Sequence, residues 1–153
     1  MPAPRSSLPR YYPPLPEKMP VTLLFRGEIV EGNSEYVEHS HPWSQIICGK
    51  SGVLAMRVAG QRYLAPREFA IWVPAGVEHS SYNRKTTRFC VIDIAPELDT
   101  HLPAGPCLLT PTAIFNAIAD DCFSRNMTEP QSETDLRMCR VLLDQISLAP
   151  RQN

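Results

Sequence analysis

From Val21 to Ile94 the chain breaks into short runs rich in β-branched and aromatic residues, closed by glycine, proline or asparagine, and this cadence constrains the fold most. The runs are Val21 to Val30, Glu35 to His41, Trp43 to Cys48, Val53 to Val58, Gln61 to Leu64, Phe69 to Val73, His79 to Asn83 and Arg88 to Ile94. Strands this short bury their apolar side chains only by closing on one another, so their spacing predicts a barrel or sandwich. Gly60 supplies the turn of a hairpin between two of them, and Gly27 reads as a bulge or bend.

After Pro96 the pattern changes. Residues 99–106 read as a loop. Thr110 then stands as a helix N-cap before Pro111, and Phe115, Ile118, Ala119 and Cys122 recur at the spacing of one helical face. A second start lies at Ser132, with Asp135 three residues on, followed by the apolar stripe Leu136, Cys139, Leu143 and Ile146. Strands followed by helices predict a mainly β domain with a helical appendage. The chain divides into a proline-rich extended arm (1–20), a β-barrel (21–96) and a loop with two helices (97–153). It holds no internal repeat.

Composition removes several function classes. A chain of 153 residues supports one full-sized domain. Fifteen basic against sixteen acidic residues leave a formal charge of -1, which offers no excess of cations for a phosphate backbone. No apolar run is long enough to cross a bilayer. Seven prolines within the first twenty residues break up any secretory apolar stretch. The five cysteines (Cys48, Cys90, Cys107, Cys122, Cys139) are odd in number and lack CxxC spacing, so they read as reduced thiols of a cytoplasmic protein.

The chemistry gathers around three histidines and a glutamine. His39 and His41 are two residues apart on a strand-like segment and leave the same face, and Gln45 is a further even step if the strand runs through Pro42. Downstream, Pro74 and Gly76 make a tight turn that returns His79 to the barrel. The stretch Gly32…His39-Ser40-His41…Gln45…Gly52 resembles the first cupin motif, and Pro74-Ala75-Gly76-Val77-Glu78-His79-Ser80-Ser81-Tyr82-Asn83 resembles the second, P-x-G-x-x-H-x-x-x-N. The resemblance implies a double-stranded β-helix, or jelly-roll barrel, with His39, His41, Gln45 and His79 converging inside on a metal ion. Two positions depart from the motifs: Gln45 replaces an acidic ligand, and Glu68 stands where a glycine heads the second motif. Imidazoles and an amide oxygen suit Zn, Ni, Fe, Cu or Mn but bring no negative charge. The same groups also serve as polar interior residues bonded to one another, to water or to an organic effector. Trp43, Met56, Tyr63, Trp72 and Tyr82 are candidates to line the pocket or simply to pack the core. His101 reads as a solvated loop histidine, and Arg84, Lys85 and Arg88 as a surface turn.

A finer resemblance concerns the runs His39-Ser40-His41-Pro42-Trp43-Ser44-Gln45 and Trp72-Val73-Pro74-Ala75-Gly76-Val77-Glu78-His79, followed by two helices. Together they look like the N-terminal cupin of AraC-type transcriptional regulators. That resemblance implies an effector-sensing domain that is not an enzyme, and a homodimer joined through the helical stripe. DNA would be contacted only by a C-terminal helix-turn-helix domain that this chain lacks, so the reading frame is expected to continue past Asn153. The competing class is a free-standing metal-dependent cupin enzyme, an oxygenase or isomerase. Against it, Glu38 and Glu78 neighbour the histidines but face away, and no other carboxylate stands out as a general base. A barrel serving dimerisation alone is a third reading.

Overall fold

A computed structural model describes residues 10–11 and 19–152. Most of the proline-rich arm expected at 1–20 therefore lies outside the described residues. Of its described positions, Arg10 and Tyr11 form β1 (Arg10–Tyr11). The body of the fold consists of β2 (Leu23–Val30), β3 (Ser34–His39), β4 (Ser44–Ser51), β5 (Leu54–Val58), β6 (Gln61–Ala65), β7 (Ala70–Val73), β8 (His79–Asn83) and β9 (Thr87–Ile94). There follow a 3-10 turn at Pro96–Leu98, β10 (Cys107–Leu109), α1 (Ala113–Ser124), α2 (Glu133–Leu148) and β11 (Arg151–Gln152).

The strands form two sheets, ordered β1-β3-β8-β5-β6 and β11-β10-β7-β4-β9-β2. Every pairing is antiparallel except β1 with β3. The β5–β6 hairpin turns through Ala59 and Gly60, both at positive φ (51° and 77°), as a tight two-residue turn demands. Gly27 is neither bulge nor bend: the β2–β9 register runs unbroken through Gly27↔Cys90.

The six-stranded sheet is covered on both faces. Val30, Ile47, Ile71, Val73, Phe89 and Val91 pack with Leu54, Met56 and Val58 of the opposing sheet to fill the barrel. Phe25, Ile46, Trp72, Ile92 and Ile94 point the other way and pack against Phe115, Ala119, Cys122, Cys139, Leu142 and Ile146 of the helices. This explains the near-continuous apolar runs at Ala70–Val73 and Phe89–Ile94, since a sheet buried on both sides has no polar face to alternate. Phe25 also meets Phe123 edge to face at 5.6 Å, and its N–H donates to the Thr128 carbonyl, tying the α1–α2 connection to β2.

The helices differ in detail from expectation. The N-cap of α1 is Thr112 rather than Thr110, because its hydroxyl accepts the Phe115 N–H while Thr110 is held extended by an N–H bond to the Pro150 carbonyl. Ser132 caps α2 as expected, accepting the Asp135 N–H. The buried stripe of α2 is Asp135, Cys139, Leu142 and Ile146, so Cys139 and Ile146 of the expected dimer seam are buried within this chain's own core. Leu136 lies partly outside, at 37% exposed.

Candidate metal centre

Three backbone features bring the histidines together. His39 ends β3 and is the direct cross-strand neighbour of His79 at the start of β8. His41 follows β3 in the connection to β4. The Gly76 N–H donates to the His41 carbonyl (2.7 Å) and the Ala75 N–H to the Ser44 hydroxyl (3.2 Å), so the turn before His79 is fastened to the segment that carries His41. Gly76 adopts φ 77°, the conformation that places its N–H there and that suits glycine.

The ring centroids lie 4.3 Å (His39–His79), 4.9 Å (His39–His41) and 5.4 Å (His41–His79) apart. Their candidate ligand atoms all fall within 4.8 Å of one another. His39 Nδ1 lies 2.7 Å from the Val37 carbonyl and His79 Nδ1 3.0 Å from the Val77 carbonyl. A carbonyl only accepts, so Nδ1 of each ring carries the proton and Nε2 keeps the lone pair. Burial lowers the pKa of all three rings. Repulsion from the other two imidazoles adds to it at His41, and both His41 and His79 fall to about 4. Three neutral nitrogens, two of them locked in the ligating tautomer, fit a divalent metal of the zinc, nickel or iron type. Organic polar groups would meet the same donors and acceptors.

Gln45 reaches the barrel interior by a different route from the one expected. The strand is interrupted at residues 40–43, so the even-step argument from His41 does not apply. Gln45 points inward from β4, where Asp93 of β9 is its direct cross-strand partner. Its Nε2 donates to Asp93 Oδ1 at 2.7 Å. The same oxygen accepts the Trp43 indole N–H at 3.0 Å, and Arg26 Nε reaches Oδ2 at 3.1 Å. Trp43 in turn stacks on His41, with ring centroids 4.8 Å apart and planes inclined by 11°.

Asp93, 3% exposed, is the residue beside the site that sequence reasoning missed. Its one signal was an acid inside the buried run Phe89–Ile94, at an even step from the inward-facing Val91 and Phe89. Of the other lining candidates, Trp43 does border the site, while Met56 and the partly buried Tyr63 belong to the barrel core. Trp72 faces the helices and donates to the Pro103 carbonyl. Tyr82 lines a groove of about 340 Å³ together with Glu35, Arg57, Arg62 and Arg84. Glu38 and Glu78 are exposed, as expected, and so are His101, Arg84, Lys85 and Arg88.

The chain is similar to several known proteins. Residues 26–95 match the family Cupin_2, cupin domain. The chain is 26% identical over 114 residues to the HTH-type transcriptional regulator NimR of Escherichia coli (strain K12), an alignment covering 74% of this chain and 41% of the regulator. The chain thus spans about two fifths of that relative's length. Among solved structures it is similar to a cupin-2 domain protein of Shewanella frigidimarina NCIMB 400 (23% identity, TM-score 0.43, 50% of this chain and 74% of that one). It is also similar to a salicylate 1,2-dioxygenase of Pseudaminobacter salicylatoxidans (17%, TM-score 0.47, 51% and 22%). With its two sheets, its converging histidines and the match of residues 26–95 to the cupin domain family, the chain has a cupin fold followed by two helices.

Proposed function

We propose that this chain is the effector-sensing and dimerisation part of an AraC-type transcription regulator, with a metal or small-molecule site at His39, His41, Gln45 and His79. The observation that carries the reading is the alignment with a transcription regulator across 74% of the chain, together with the three gathered imidazoles. An effector bound among the imidazoles would favour one arrangement of the arm and helices and so shift the population of DNA-competent dimers. DNA contact would belong to a domain outside this chain, and a cytoplasmic location follows from that role. Among the described residues no helix is long and apolar enough to span a membrane. The proposed homodimer would use what the core leaves outside α2, namely Leu136, Val141 and Leu148, at 37%, 41% and 69% exposed.

Melting temperature, followed with candidate effectors and with Zn, Ni, Fe or Mn, tests the reading. A ligand at 100 times its Kd stabilises by about 2.7 kcal/mol. Stabilisation that His79→Ala abolishes supports the site, and metal analysis of protein purified without a chelating column reports whether an ion accompanies it. Wild-type and His79→Ala chains indifferent to every ligand would refute it.

A second reading, a metal-dependent cupin oxygenase or isomerase, rests on the three nitrogens gathered within 4.8 Å. Turnover of a phenolic or carbonyl substrate by the isolated chain would favour it.

A further inference from the structure

Asp93 and Gln45 are a matched pair, and the match determines what the site presents. Asp93 is buried and accepts three N–H groups: from Gln45 and Trp43 on one oxygen and from Arg26 on the other. A carboxylate has no proton to give, so the amide nitrogen of Gln45 must face it and the amide oxygen must face away. A carboxylate at position 45 would instead meet a second one at the 2.7 Å now spanned by the hydrogen bond. Trp43 is held by the same oxygen while its ring lies flat against His41. The surrounding charges also matter. Arg26 is shared between Asp93 and Glu28, at 3.1 and 3.2 Å, so one guanidinium faces two carboxylates beside three neutral rings.

We propose that Asp93 is the positioning residue of the imidazole site: it turns the Gln45 oxygen toward the interior, seats Trp43 against His41, and supplies across the strand the negative charge that a bound divalent cation requires. This rests on the metal reading of the same site. The negative charge resides one cross-strand step behind the amide, so the ligand shell itself stays neutral.

Co(II) titration of the 153-residue chain, read by its visible d–d absorption, tests the assignment. Asp93→Asn is expected to weaken Co(II) binding by about 10–100-fold, the usual effect of removing an outer-shell partner. The exchange variant Gln45→Glu with Asp93→Asn restores the carboxylate–amide pair in reverse and should recover binding, with a changed d–d spectrum as a carboxylate enters the shell. Gln45→Glu alone, which sets two acids face to face, should be less stable than either the wild type or the exchange. If Asp93→Asn does not fold, Trp43→Phe keeps an aromatic side chain, removes one donor, and should still lower affinity severalfold. Wild-type affinity in a folded Asp93→Asn (or in Trp43→Phe, if that is the variant measured) would overturn the proposal, and so would a folded exchange variant that fails to recover. These outcomes leave the metal reading standing. Absence of Co(II) binding by the wild type, as by His79→Ala, would remove both.

Discussion

Acid should unfold this barrel earlier than its carboxylates alone require, and the imidazole site gives the reason. His41 and His79 are 8% and 3% exposed, and burial, with repulsion from neighbouring imidazoles, lowers their pKa from 6.5 to about 4. Between those values the unfolded chain holds protons that the folded barrel excludes. Unfolding then takes up protons, so stability rises with pH across this window. The contribution is complete above pH 6.5 and is lost as pH falls towards 4. A drop from 6.5 to about 4 corresponds to about 3.4 kcal/mol for one ring. Solvent that reaches the interior reduces this, and about 2–3 kcal/mol for the pair at pH 4.5 is a sound expectation. Against a typical domain stability of about 5–15 kcal/mol that loss is large. Urea unfolding of chelator-treated protein at pH 7.5 and 4.5, followed by tryptophan fluorescence, measures it. The double variant His41→Gln, His79→Gln supplies the control, because its remaining acid sensitivity comes from other groups. Equal loss in wild type and variant would refute the reasoning.

Four further outcomes follow from the same structure. Because His41 and His79 stay neutral well below pH 6.5, metal bound at pH 7.5 should be largely retained at pH 5.5 in an equilibrium dialysis experiment. Leu142→Ala, at a fully buried position between α2 and the six-stranded sheet, should cost about 2–5 kcal/mol in denaturant unfolding. Gly76→Ala meets no atom within 4 Å but must hold φ 77°, so it should cost about 1–2 kcal/mol and loosen the turn that carries His79. Gly32→Ala fails for another reason, since its Cβ would lie 2.7 Å from the Arg84 carbonyl oxygen, and thermal melting of the two variants gives both costs.

By itself the sequence determined the local elements. Period-two runs, turn residues and the Ser132 cap depend on neighbours within a few positions, and β8 and the start of α2 lie where those signals placed them. The motif spacing likewise singled out His39, His41 and His79, which meet within 4.8 Å. Elements of two or three residues were beyond reach. β10 forms because Cys107–Leu109 pairs with β7, a partner more than thirty residues away in the chain. Tertiary structure alone decided which face of α2 is buried, because the barrel and α1 choose among overlapping apolar stripes. It also decided the surroundings of Gln45. Asp93 lies 48 residues further along, and only the β4–β9 register sets the two side chains opposite each other. Hydrogen bonds between such distant residues depend on how strands pair, which local sequence does not encode.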